Sequence, residues 1–270
     1  MNPRSPRTRL RDALLRVGEG RQVPEADLRT AVENALSELA QETLGERSRV
    51  GLVTLGSEDH SWGRNLGLRI ADYDVGLPDL LWAADESALP PQVRESCPTL
   101  GQDEWEAALL VCKLILTVLE SEPEPVPDDA TQHPQCLPRP ARALTRERFC
   151  QSLVAIAERP ELPQDELTTQ LRTTLLDFAS ETPDNEEAAQ LIAVLPTEQP
   201  QPVMRMCLSR SRVSLAQVLL SADGCSVPGC VLDEFPDLNQ DEWNAVIQVS
   251  GLTLLAFEAE PACATRQRPR

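Results

Sequence analysis

Apolar residues recur at helical spacing in Leu28, Val32, Leu36 and Leu39, which predicts one face of a long amphipathic helix. The same spacing returns at Leu167, Leu171, Leu175 and Phe178. A proline suited to a helix start precedes each run, Pro24 in one case and Pro163 in the other. A shorter helix is predicted ahead of each, over 10–17 and 146–157. Two strand-like runs then follow at 50–55 and 66–75, with counterparts at 190–195 and 203–213. Each pair reads as a β-hairpin closed by an irregular loop. A short helix is predicted at 77–84 and again at 215–222. A proline-containing loop leads to a last helix, 102–120 and 240–258. The order is therefore ααββαα, given twice. Two strands alone are marginal in water, so each pair must lie on helices or pair across the halves.

The repetition is visible in the residues themselves. Residues 68–123 align without a gap on 206–261, with roughly a third of positions identical. The anchor is Gln102-Asp103-Glu104-Trp105 against Gln240-Asp241-Glu242-Trp243; upstream segments match more loosely. The expected fold class is α+β, a tandem duplication of a helix-rich unit of about 120 residues with a small antiparallel hairpin in each half. The expected division is a first domain over 8–122, a proline-rich linker over 123–143 and a second domain over 144–261. Basic tails, 1–7 and 262–270, are expected to fray.

Composition narrows this picture. The 270 residues suit two ordinary domains, and 41% hydrophobic content supports a globular chain. Aromatics are only 3%, which favours an aliphatic helical core and argues against a base-stacking surface. The formal net charge of −18 repels nucleic-acid phosphates and anionic membranes and attracts basic partners. Eight cysteines are present without a Cys-x-x-Cys pair, and no signal peptide or long apolar run is seen. Free thiols and a cytoplasmic location are the expectation.

Several constellations invite chemistry. The shared Gln-Asp-Glu-Trp resembles a carboxylate site, yet it opens a helix, where acids complement exposed amides. Thr99 with Gln102, Asp237 with Gln240, and Asn239 with Glu242 are candidate capping boxes. The loop between the first two strands offers Glu58, Asp59, His60, Trp62 and Arg64, which the second half does not repeat. It is a candidate partner contact, and too poor in ligands for a metal. Asp72 and Asp74 align with Arg210 and Arg212. On strands these pairs would each share a face, and a pseudo-twofold would let opposite charges meet across the halves. Cys225 and Cys230 are the closest cysteine pair, spaced for a disulfide but without a second pair of metal ligands.

No Gly-x-Ser-x-Gly, phosphate loop or cysteine–histidine pairing is apparent. The functional expectation is a non-catalytic intracellular binding or regulatory protein, without cofactor or metal, engaging a basic protein partner. An immunity or antitoxin-like role is a special case. The alternatives are a carboxylate-using hydrolase with its site between the halves, and a DNA mimic.

Overall fold

The computed structural model describes residues 5–18, 23–45, 47–60, 63–71, 73, 75–82, 100–120, 141–159, 162–180, 186–196, 203–221 and 229–258. The chain is helix-rich with two small antiparallel hairpins, an α+β architecture. The elements run α1 (Pro6–Gly18), α2 (Glu25–Leu44), a 3-10 turn (Arg49–Leu52), β1 (Val53–His60), β2 (Gly63–Ile70), α3 (Leu77–Trp82) and α4 (Gln102–Val118). They continue α5 (Ala141–Glu158), α6 (Gln164–Ala179), α7 (Glu186–Gln190), β3 (Ile192–Pro196), β4 (Met204–Leu208), α8 (Leu215–Ser221), α9 (Gly229–Glu234) and α10 (Gln240–Ala256).

The long amphipathic helices form where the periodicity placed them. Leu28, Val32, Leu36 and Leu39 on α2, and Leu167, Leu171, Leu175 and Phe178 on α6, are buried. Pro24 and Pro163 are the N-cap residues, with ψ of 134° and 136°. Extended backbone there feeds the first turn without demanding a donor from the proline. Gly45 stops α2 in the left-handed region, φ 69°, its N–H bonding Gln41 O.

β1 and β2 pair from Val53↔Ile70 to His60↔Gly63, and β3 and β4 from Ile192↔Leu208 to Pro196↔Met204. The hairpins are separate two-stranded sheets; each lies on helices, and neither pairs with the other. The first is longer than expected. Glu58, Asp59 and His60 belong to β1 and Arg64 to β2, so strand pairing runs on to His60↔Gly63 where an irregular loop was expected. The second strand of each pair ends sooner than expected. Arg210 lies in the turn after Leu208, and Arg212 just beyond it has φ 60°. Neither is on a strand, so alternation does not set their facing. Asp72 and Asp74, their expected partners, lie outside the described residues.

Two boundaries also move. α5 opens at Ala141, inside the expected linker. Arg7, assigned to a frayed tail, sits in α1 and donates to the carbonyls of Thr117 and Glu120 at the end of α4. Thr117 O, in the last turn of the helix, also accepts from Glu120 N at 3.3 Å, and the guanidinium adds a second donor at this helix end.

The core crosses the midpoint of the chain. One continuous hydrophobic cluster includes Leu14, Leu36, Leu81, Trp105 and Leu114 from the first half, and Phe149, Phe178, Leu219, Trp243 and Leu252 from the second. α4 packs on α1, the 3-10 turn and β1 of its own half, and on α8 of the other. α10 packs on α5 and α7 of its own half, and on α3 of the other. Sequence explains why α4 takes this place. Every residue from Trp105 to Leu116 is buried, so the helix is covered on all sides. The buried carboxylate within this run is accommodated locally: Glu106 meets Arg49 at 3.4 Å and accepts from Gln102 Nε2 at 3.3 Å.

Candidate functional site

The Gln-Asp-Glu-Trp segments cap their helices. At α10, Asn239 Oδ1 accepts from Glu242 N at 2.8 Å, and Glu242 Oε2 accepts from Asn239 N at 3.3 Å. This is the reciprocal box, and Asn239 is the cap residue. The Asp237–Gln240 alternative fails because Gln240 already begins the helix. At α4 the N-cap is Gly101; Glu104 Oε2 accepts from its N–H at 2.8 Å, the one half of the box a glycine permits. Gln102 is the first residue of that helix, and Thr99 lies outside the described residues. Glu242 also accepts from Ser211 N at 3.3 Å, fastening the turn after β4 to the start of α10. Both carboxylates are thereby engaged in structure. Trp105 and Trp243 are buried in the core.

Glu58 and Asp59 stand opposite Asn65 and Arg64 in the β1–β2 register, and His60 opposite Gly63. Trp62 lies outside the described residues. The structure thus sets the backbone of this expected contact at the end of a hairpin. Cys225 lies outside the described residues, and Cys230 falls within α9. Among the described residues no group of three or more His, Cys, Asp or Glu side chains is placed to hold a metal ion. No described helix is long and apolar enough to cross a membrane.

An opening lined by described residues lies elsewhere, between α2 and the first hairpin. It is an open groove of about 790 Å3. α2 supplies Glu25, Arg29, Glu33, Asn34 and Ser37, and the strands supply Val53, Thr54, Gly56, Ser57 and Arg69. Arg47, Gly51, Ala71 and Tyr73 close its ends. Three of its cationic or anionic groups are already spoken for. Arg29 Nε donates to Leu55 O at 2.7 Å while its terminal nitrogen pairs with Glu25 at 2.7 Å. Arg69, buried, crosses over Gly56 and donates to Ser57 O at 3.0 Å. A Cβ on Gly56 would sit 2.9 Å from Arg69 Cδ, so the missing side chain makes room for this crossing. Leu55 and Ser57 are alternate residues of one strand, so two guanidinium groups cover carbonyls along its outer edge. Glu33 differs from them. Its carboxylate accepts from Thr54 Oγ1 at 2.5 Å, and among the described residues it makes no ion pair.

The second half treats the same junction otherwise. Thr168 Oγ1 and Val194 exchange bonds at 3.1 Å, Val194 both donating through N and accepting through O. Arg172 Nε donates to Ile192 O at 2.7 Å, and its terminal nitrogen reaches Gln190 O at 3.4 Å and Ser209 Oγ at 2.8 Å. One guanidinium thus ties α6 to α7, β3 and the turn after β4.

The displaced ionisations lie away from the groove. Burial pushes the Cys112 thiol up, and pushes Cys207 up to about 11, with Arg205 opposing and Glu120 adding to the shift. Burial also raises Glu120 above the ordinary carboxylate range, against the pull of Arg7 and Arg205. Glu120 follows α4 of the first half and Arg205 belongs to β4 of the second, so this cluster is a contact across the halves. At the corresponding end of α10, Glu258 covers Gly67 of β2, where an added Cβ would lie 2.5 Å from its Oε1.

Nothing in the linear sequence singled out the groove. Its lining residues run from Glu25 to Tyr73, and its signal is a difference between loosely matching segments. No protein-family model matches the chain, and neither a curated protein nor a solved structure matches it.

Proposed function

We propose that this is a non-catalytic binding or regulatory protein, built from two copies of an ααββαα unit, that engages a basic protein partner through the first copy. The observation that carries the reading is the groove between α2 and the first hairpin. At the same junction of the second half Arg172 reaches Ile192 O, Gln190 O and Ser209 Oγ, so the two junctions differ in their chemistry. A junction at which the two copies carry different side chains is a natural place for a function to differ. The net charge of −18 supplies the long-range attraction for a basic partner and a salt-sensitive encounter.

Catalysis would call for acids or bases with displaced pKa values inside the cleft. The described groups that are displaced, Cys112, Cys207 and Glu120, belong to core and inter-half packing instead. The space between the halves, where a hydrolase site was the alternative, is occupied by α3 on α10 and α4 on α8. A DNA-mimic role has no comparable observation behind it.

The test is calorimetric titration of the full chain with a panel of Arg- and Lys-containing peptides, beside an acidic panel of equal length. Binding of the basic panel, weakening as salt rises, is the expected result. Absence of basic-peptide binding, together with a rise in melting temperature on adding a small molecule, would replace this reading with an enzymatic one.

A further inference from the structure

We propose that the groove receives an arginine side chain of the partner, with Glu33 and the adjoining backbone holding from outside the guanidinium that Arg172 provides from within at the other junction. The inference rests on the binding reading above and names the chemical group recognised.

The two junctions correspond residue by residue. Pro24 and Pro163 cap the two helices with the same backbone conformation. Counting from them, Arg29 corresponds to Thr168 and Glu33 to Arg172. The strand register follows: Val53↔Ile70 opens one hairpin, Ile192↔Leu208 the other. Bonding agrees with this count, since Arg29 reaches the carbonyl of Leu55 and Thr168 that of Val194. Leu55 and Val194 are each the third residue of their strand.

Arg172 is held by Ile192 O, Gln190 O and Ser209 Oγ. The corresponding positions are Val53, Gly51 and Ala71, and all three line the groove together with Glu33. The first copy therefore keeps the backbone of a guanidinium cradle, lacks the guanidinium, and carries a carboxylate on the helix position that would have supplied it. Ala71 brings no hydroxyl where Ser209 accepts a hydrogen bond; the Glu33 carboxylate supplies acceptors in its place. Its Thr54 bond uses one neutral donor and leaves the negative charge without a counter-ion among the described residues.

The groove's own arginines do not answer that charge. Arg29 is committed to Glu25 and Leu55 O, and Arg69 to Ser57 O. Arg47 is exposed at the rim. A guanidinium suits the site better than an ammonium because its planar fork presents several donors at once, toward two carbonyls and a carboxylate.

The experiment uses three short peptides, acetyl-Gly-Arg-Gly-amide and its lysine and citrulline counterparts, added to the full isotope-labelled chain. Backbone amide shifts of Gly51, Val53, Thr54 and Ala71 report the groove. The arginine peptide should move them saturably, the lysine peptide should bind roughly tenfold more weakly, and the uncharged citrulline peptide should leave them in place. Glu33→Gln should weaken the arginine peptide by roughly 10-fold or more. Glu33→Arg should abolish its binding while the melting temperature holds or rises, because the variant fills its own cradle. Equal binding of citrulline, or arginine binding indifferent to Glu33→Gln, would overturn the inference. Basic peptides that bind the chain with shifts elsewhere would overturn it too, yet leave the broader binding reading standing. Failure of every basic peptide in both assays would remove that reading as well.

Discussion

At the junction of long helix and hairpin, the two halves answer one structural problem in opposite ways. A two-stranded sheet leaves a strand edge with outward carbonyls that need donors. In the second half Thr168 and Arg172 supply them, and Arg172 reaches beyond the strand to Gln190 and Ser209. In the first half Arg29 and Arg69 cover Leu55 and Ser57, and the remaining width becomes a polar groove around Glu33. The difference teaches that the edge can be guarded from the helix alone or from the helix and the neighbouring strand together. A pair of arginines one strand pleat apart can guard the edge while the space beside it stays open.

The comparison presupposes two halves that share a single core, and the largest effect tests that. Leu81 on α3 is fully buried, and α3 lies on α10 of the other half. Leu81→Ala should cost about 2–5 kcal/mol through lost burial and the cavity left behind. Because the core is continuous, thermal unfolding should remain one transition and move as a whole. Two transitions, of which only one shifted, would mean that the halves pack independently and would dissolve the contrast between them.

The next effect removes the arginine that ties the second junction. Arg172→Ala removes three hydrogen bonds, the Nε bond part-buried and the terminal ones exposed. A loss of about 1–2 kcal/mol is expected in urea unfolding. Glu33→Ala, at the corresponding place, should change stability by less than about 0.5 kcal/mol, since it gives up a single bond to Thr54. Equal costs would show that Glu33 serves the fold as Arg172 does, and that the groove is incidental.

Local chemistry was the legible part of this chain. The periodic leucines placed α2 and α6, prolines marked their starts, and acids ahead of Trp105 and Trp243 announced helix caps that the structure contains. Such signals act within one turn of helix and survive any tertiary arrangement. The tip of the first hairpin was misread because Ser57 to Arg64 lacks apolar alternation, while strand pairing there is carried by the backbone. The placing of α4 against α8, and of α10 against α3, needed a different clue. It was present in the apolar run from Ala107 to Leu116, which only Lys113 interrupts and which a helix covered on one face does not need. Glu33 and Arg172 stayed hidden because each acts on residues about 20 positions away across a loosely matched segment.

The ends of α4 and α10 extend the contrast to pH. Glu120 is raised by burial, with Arg7 and Arg205 opposing. The folded chain therefore holds this proton to higher pH than the unfolded chain does. The stability so gained is complete below the ordinary value, 4.5, and is lost as pH rises through the folded value. Glu120→Gln has no such proton to lose. Its stability relative to the parent chain should increase as pH rises above 4.5 in urea titrations. A difference that stayed flat over this range would show that Arg7 and Arg205 compensate the carboxylate completely.

The smallest effects lie at the helix starts, where Asn239 gives α10 both bonds of its box and Gly101 leaves α4 with one. Asn239→Ala should cost about 1 kcal/mol, the usual loss when a capping side chain is removed. Asn239→Gly makes the second cap resemble the first and should cost only a few tenths, since glycine tolerates the cap backbone and lets water reach the freed amide. The reverse change, Gly101→Asn, should return a similar few tenths, because the extended backbone at Gly101, φ −99° and ψ −178°, is open to any residue. A Cβ there would meet Glu104 Oε2 at 2.9 Å, the free end of a side chain that can turn slightly while still accepting from the Gly101 N–H. A loss instead of a gain would show that Glu104 is held too firmly to move, and that the first cap depends on the absence of a side chain.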